Sequence, residues 1–286
     1  MIHSSERKHT MRFSDKVIRY WTYGTPSKPI LILVHGITGT HRGFYKIIPF
    51  LTNDFFIIAP DLPGFGESTT QQPLSIARHA ETLNHFIEKL KLRRLPYVIG
   101  HSYGTLVVTQ AAYLAPELSQ PRLILISPVP SAISLFEKRH FGKIAGELHY
   151  AVGRIGRVGA WWLRRKTIAR FITHTLITTK DHSLRKEIHQ EHFDNLKYIQ
   201  NPTQLYRLFK EVHRTGINIV ANHIEKKVLI ITGTHDVSAP FIEQEKVHQQ
   251  FKDSILLPLQ GAGHLSHYEL PRSLALAIKR YLQTSS

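Results

Sequence analysis

The chain has no cysteine among its 286 residues, which excludes disulfide bridges, thiolate nucleophiles and cysteine-ligated metals. That absence suits a reducing interior, and a cytoplasmic location is the expectation. Long apolar runs are lacking as well. None approaches the roughly 20 residues that a helix needs to cross a bilayer, and the opening MIHSSERKHTMRF is charged where a secretory signal would be apolar. Low-complexity tracts and internal repeats are also missing. Acidic residues are scarce: 21 Asp and Glu stand against 37 Lys and Arg, a net +16, with 19 histidines besides. Such a surplus favours anionic partners, yet no helix-turn-helix, zinc-finger or RNP signature is present, so no nucleic-acid partner is expected. A basic, solvated surface is the simplest account.

What is present is a rhythm. KVIRYWTY (residues 16–23) alternates like a half-exposed strand. PILILVHG (29–36) and FFIIAPD (55–61) are continuous apolar runs, the pattern of strands buried on both faces. YVIG (97–100), RLILIS (122–127), KVLIIT (227–232) and SILLPL (254–259) continue the series. Helical patterns lie between them: one opens at His41, others span residues 74–92 and begin at Tyr103, and one closes the chain from Ser273. The alternation predicts an α/β fold with a mostly parallel, doubly wound sheet. It fails once, between Pro128 and Lys226, where only helical segments are seen. A core of residues 1–130 and 217–286, with a helical cap inserted as residues 131–216, accounts for this.

The sharpest local signal is GHSYG, residues 100–104. Chance alone yields roughly 0.06 matches to G-x-S-x-G in a chain of this composition, so the pentapeptide needs context. It has it: an apolar strand pattern precedes Ser102 and a helical one follows, as a nucleophile elbow requires. A serine hydroxyl is a weak nucleophile near neutral pH and needs a base, which in turn needs an orienting acid. Asp236 lies just past one strand pattern, in GTHD, and His264 follows the next, in a loop with glycines. The backbone N–H of Ile37, after VHG, and that of Tyr103, in the first turn after Ser102, are candidate donors to a developing oxyanion. His35 and Gly36 beside them are candidate substrate contacts.

These pieces together resemble the α/β-hydrolase fold, in its capped, esterase- and lipase-like form. The likeness spans nearly the whole sequence: the HG loop at 35–36, DLPGFGES (61–68), GHSYG, GTHD (233–236) and GHLSHYELP (263–271). It implies Ser102 as nucleophile, His264 as base, Asp236 as acid, and Ile37 and Tyr103 as the oxyanion hole, with a cap over the site. Thr105 departs from the Gly or Ala common at its place. An acidic nucleophile is absent, which argues against dehalogenases and epoxide hydrolases of this fold.

Each role has a rival. Asp61 is the competing acid, though it precedes Ser102 and sits in a turn-rich loop; His267 lies three residues past His264, and His101 adjoins the nucleophile. His182, His189 and His192 share one helical face but do not form the H-E-x-x-H zinc pattern, so no metal is expected. Gly153, Gly156 and Gly159 follow no strand and lack G-x-G-x-x-G, which rejects a dinucleotide site.

The expected activity is hydrolysis of carboxylic esters, including lactones or thioesters, on a small-molecule substrate with an apolar acyl group and without a cofactor. Alternatives are a C–C bond hydrolase of diketone-like substrates with the same triad, perhydrolase chemistry, and a non-catalytic binding protein of this fold. Chain length of the acyl group, alcohol preference and oligomeric state are left to the geometry of the cap. Residues 131–220 carry 16 Lys and Arg against 7 Asp and Glu. There Trp161 and Trp162, flanked by Arg154, Arg157, Arg164, Arg165, Lys166 and Arg170, read either as cap core and cleft lining or as an amphipathic face for an anionic membrane surface.

Overall fold

In a computed structural model of the protein, the described residues are 6–131, 170, 173–199 and 201–283. Among them, nine strands form one sheet: β1 (Arg7–Arg12), β2 (Lys16–Tyr23), β3 (Ile30–Val34), β4 (Phe56–Pro60), β5 (Thr69–Thr70), β6 (Tyr97–His101), β7 (Arg122–Ile126), β8 (Lys227–Gly233) and β9 (Ser254–Leu259). The order is β1-β2-β4-β3-β6-β7-β8-β9, with β5 on β2. Every pair from β4 to β9 along this path is parallel; β2 runs antiparallel to β1, β4 and β5.

Strand alternation divides the apolar residues between two cores. On β3, Ile32 and Val34 face a core shared with α2 (Ile76–Lys89) and α3 (Tyr103–Leu114), whereas Leu31 and Leu33 face another. The second core includes α1 (Ile48–Leu51) and α8 (Pro271–Gln283), which contributes Leu274, Ala275, Ile278 and Leu282. Both faces being covered, continuous apolar strands are required, and burying each Leu or Ile contributes about 1.5–3 kcal/mol. Helix α2 starts where Ser75 accepts a hydrogen bond from the Arg78 N–H, and it buries Ile76, Ala80, Leu83 and Ile87 at helical spacing.

The helix expected from His41 is two pieces, a 3-10 turn at His41–Phe44 and then α1. Pro49 has no N–H to donate, so it fits only in a first turn and the helix restarts just before it. Between β7 and β8 the described residues hold α4 (His182–Leu196) and α5 (Pro202–Val212) and no strand. This stretch leaves and returns at one place, because the Ile217 and Asn218 N–H groups donate to the Val129 and Pro130 carbonyls. After β8 the described residues also hold α6 (Phe241–His248) and α7 (Ser266–Glu269). No helix among the described residues is long and apolar enough to cross a membrane.

Packing is tight where α3 meets β3 and β6. A Cβ on Gly104 would stand 2.3 Å from the Val34 carbonyl oxygen, and one on Gly100 would stand 2.5 Å from that of Gly104. Backbone is what each would strike, so no side chain can yield. Gly104→Ala is therefore expected to cost more than about 3 kcal/mol, read as a lower urea midpoint. Gly43→Ala, whose Cβ would meet only the Tyr268 hydroxyl at 3.7 Å, should change stability by less than about 1 kcal/mol. Equal effects would show that the β3–α3 contact is not limiting.

Candidate active site

Ser102 stands between β6 and α3 with φ 51 and ψ −119, a left-handed conformation that costs a non-glycine residue about 1–3 kcal/mol. Three contacts hold it there. Its N–H donates to the Ile126 carbonyl, and its own carbonyl accepts from the Thr105 N–H (2.8 Å) and the Thr105 hydroxyl (2.5 Å). The Thr105 hydroxyl also accepts from the Val129 N–H at 3.3 Å. Thr105 thus braces the turn against the exit of β7, which explains a hydroxyl in a position where Gly or Ala would be enough for packing.

The Ser102 Oγ lies 2.9 Å from His264 Nε2, and His264 Nδ1 lies 2.8 Å from Asp236 Oδ2. Asp236 is buried, and its other oxygen accepts from the Ser238 and Ala239 N–H groups, both at 2.9 Å. With both oxygens engaged, the carboxylate is oriented and stays an acceptor, which places the proton of the neutral imidazole on Nδ1 and leaves Nε2 to accept from the serine. The loops are stitched together, since the His235 N–H donates to the Ala262 carbonyl. Gln244, fully buried, donates to the Pro128 and Ala239 carbonyls and ties the Asp236 loop to the end of β7.

Histidines crowd His264, and burial keeps them neutral. His101 is pushed down to about 3, first by burial and then by the proximity of His264. Burial likewise lowers His267, with His101 and His264 adding to it, and lowers His192 to about 4. A neutral His101 donates from Nε2 to the His264 carbonyl at 3.1 Å. His267 packs against His101, ring centroids 4.1 Å apart, rather than against Ser102. His101 and His267 therefore form a pair beside His264, whose ring is the one hydrogen-bonded to Ser102. His182 is exposed, His189 stacks on His174, and His192 Nδ1 bonds the Thr173 hydroxyl oxygen at 3.0 Å. The three histidines do not converge on one point.

The loop after β3 runs beside the serine: a Cβ on Gly36 would lie 3.3 Å from Ser102 Cβ. A turn closes from the Gly39 N–H to the Gly36 carbonyl. Among the described residues the N–H groups of Ile37 and Tyr103 have no acceptor. His35 is engaged elsewhere. Its Nδ1 donates to the Gly36 carbonyl at 2.8 Å and its Nε2 accepts from the Leu62 N–H at 2.9 Å, so both ring nitrogens brace the loop instead of facing a substrate. Tyr103 is anchored from below by His79, a histidine on the buried face of α2 that its helical spacing with Leu83 would have marked as core; the Tyr103 hydroxyl donates to His79 Nδ1 at 2.5 Å. Trp161 and Trp162 lie outside the described residues, as do Arg154, Arg157, Arg164, Arg165, Lys166 and the three glycines at 153, 156 and 159.

Asp61 belongs to a different unit. Its Oδ1 accepts from the His41 N–H (2.8 Å) and from His41 Nδ1 (2.9 Å), and its Oδ2 accepts from the Glu67 N–H (2.9 Å). The His41 ring stacks on Trp21 with centroids 3.3 Å apart. Burial alone would raise the Asp61 carboxyl, but the hydrogen bond and charge of His41 outweigh it and hold the group below the ordinary carboxylate value.

Residues 29–143 match the family described as the alpha/beta hydrolase fold, and residues 210–286 match the family described as TAP-like protein. An uncharacterised hydrolase of Bacillus subtilis, YugF, is 26% identical over 280 residues, covering 93% of this chain and 94% of that protein. A thermophilic esterase from Thermogutta terrifontis superposes with a TM-score of 0.77 at 21% identity, covering 98% of both chains. A 2-hydroxy-6-oxo-6-phenylhexa-2,4-dienoate hydrolase from Rhodococcus superposes with a TM-score of 0.76 at 20% identity, covering 98% of this chain and 100% of that one. At these identities the two structures speak for the fold.

The Asp61 pair generates a pH test. A carboxyl held below its unfolded value means that the folded protein binds fewer protons than the unfolded chain. Its stabilising contribution is present above the ordinary value, about 3.9, and is lost as the pH falls through the lower folded value. Asp61→Asn should be less stable than the parent at pH 7, with the gap narrowing below about pH 4 in denaturant titrations. A gap independent of pH would show that the charge of Asp61 contributes nothing.

Proposed function

The chain belongs to the α/β-hydrolase superfamily, and from that premise we propose that it hydrolyses carboxylic esters through a serine-bound acyl intermediate. The observation that carries this reading is the unbroken line of hydrogen bonds from Ser102 Oγ through His264 to Asp236, at 2.9 and 2.8 Å. His264 Nε2 takes the Ser102 proton as Oγ attacks the ester carbonyl. The N–H groups of Ile37 and Tyr103 stabilise the negative oxygen of the tetrahedral intermediate, aided by the N-terminal end of α3. His264 then gives its proton to the leaving alkoxide, and the acyl group stays on Ser102. Water, activated by the same nitrogen, releases the acid and restores the serine. Asp236 holds the imidazole in its Nδ1–H tautomer and stabilises the imidazolium formed in each half-reaction.

Buried, uncharged His101, His192 and His267 add no cation beside that transient imidazolium. Repulsion within the site is thereby kept low when the base carries charge. The substrate in this reading is a small ester with an apolar acyl group. Lactones and thioesters follow from the same carbonyl chemistry. The C–C hydrolase among the structural relatives makes diketone-like substrates the alternative.

A fluorophosphonate should add to Ser102 and shift the intact mass, and Ser102→Ala should abolish the adduct. An adduct elsewhere, or none, would reject Ser102 as nucleophile and leave a binding protein of this fold. Among p-nitrophenyl esters of rising chain length, lactones and diketone-like substrates, turnover should be highest on an ester. Asp236→Asn should lower kcat by about 10⁴-fold while remaining folded. Asp61→Asn should lower it far less, and the reverse order would exchange the two roles.

A further inference from the structure

We propose that Glu269 is a positioning residue that couples the inserted segment to the base, so that His264 is correctly placed only while residues 178–179 are docked. The inference rests on the reading of His264 as base and extends it to a residue whose hydrogen bonds go to neither Ser102 nor His264.

Glu269 closes α7, five positions after His264. Its Oε1 accepts from the Thr178 N–H at 2.5 Å and the Thr179 N–H at 2.8 Å, both in the stretch between β7 and β8. Its Oε2 accepts at 2.6 Å from the N–H of Gly263, the residue immediately before His264. The Thr178 hydroxyl lies 3.1 and 3.0 Å from the two carboxylate oxygens and 3.0 Å from the Gly261 carbonyl, reaching the same loop from the other side. The two strands of chain are in close contact here: a Cβ on Gly263 would come within 2.9 Å of Thr178 Cγ2.

Three backbone N–H groups donate to this side chain, and the single hydroxyl proton of Thr178 has either of its oxygens or the Gly261 carbonyl in reach. The consequence for His264 is geometric. Its ring is held by Asp236, its carbonyl by His101, and the N–H that precedes it by Glu269. Of these three holds, the one through Glu269 also grips residues of the insertion. Tyr268 makes a parallel tie, donating at 2.7 Å to Glu191 of α4. Loss of the Glu269 tie would let the His264 loop and residues 178–179 drift independently, and catalysis is steep in such displacements.

Glu269→Gln in the full chain tests this, because the amide keeps the shape but turns an NH₂ toward one of the N–H donors. The expected result on p-nitrophenyl acetate is a kcat lower by about 10–10²-fold with KM within about twofold, matched by slower fluorophosphonate labelling of Ser102. Hydrogen exchange should rise together in peptides covering 176–179 and 261–264. Thr178→Val, which removes only the hydroxyl, should give a smaller change of the same kind. Glu243→Gln, on α6 and paired with Lys246, should change nothing. Exchange rising at 176–179 alone with kcat unchanged, or a higher KM with kcat unchanged, would overturn the coupling. If Glu269→Gln does not fold, Thr178→Val decides, and parent-like kcat and exchange there would overturn it. If the parent neither labels at Ser102 nor cleaves esters, the ester reading fails; the exchange arm still tests the clamp, with joint loosening supporting it and independent loosening rejecting it.

Discussion

The narrow gap between β6 and α3 governs this site. Helix α3 approaches β6 and the neighbouring β3 so closely that backbone oxygens occupy the space a Cβ would need at positions 100 and 104. The chain must reverse between them within a few residues, and Ser102 takes up the reversal in a left-handed conformation. Its cost is met by contacts already described: the Ile126 carbonyl on its N–H, and Thr105 on its carbonyl. The strain has a use. It lifts the hydroxyl out of the sheet while leaving the N–H of Tyr103 at the first turn of a helix, where the dipole is positive. The Ser102 hydroxyl and the Tyr103 N–H are thus set by one turn.

Two histidine–aspartate pairs of similar geometry lie in the same domain, and their surroundings separate their roles. Asp61 and His41 are as close as Asp236 and His264, 2.9 against 2.8 Å. But Asp61 accepts twice from His41 and once from Glu67, which closes a buried turn, and the His41 ring is stacked against Trp21. Asp236 accepts from its own loop and leaves the far nitrogen of its histidine on Ser102. A carboxylate–imidazole pair is catalytic through what the second nitrogen faces.

The net charge of the chain is strongly positive, yet the histidines packed around His264 add none. His101, His192 and His267 are neutral because burial disfavours their charged form, and neighbouring histidines lower each further. Glu191, in the insertion, shows the same effect with opposite sign. Burial raises it to about 7 against the pull of the Tyr268 hydrogen bond, so it sits near half-protonation where α4 meets the core.

Local pattern was enough for much of this. The buried parallel strands announced themselves as unbroken apolar runs, because both faces of each had to be covered. GHSYG, GTHD and GHLSHYELP marked the turns that carry Ser102, Asp236 and His264, because such turns tolerate few residue types. Strands β1 and β5 were not legible: RKHTMR buries only Met11, and β5 is two residues long, so neither has an apolar face to read. The helix from His41 was overread because a hydrophobic spacing does not show where Pro49 stops it. His35 could not be distinguished from a substrate contact, since its partners come from Gly36 and Leu62 and the latter is far along the chain. Gln244, His79 and Glu269 carried no motif that named their task, because each acts on carbonyls, hydroxyls or N–H groups brought near only by folding. The sequence by itself determined the sheet, the elbow and the residue types available for chemistry, since these depend on short-range periodicity and on where glycine must stand. Only the tertiary structure decided which aspartate faces which histidine, which histidines are silenced, and how the stretch between β7 and β8 grips the loop of His264, since those depend on distances between residues as many as 163 positions apart.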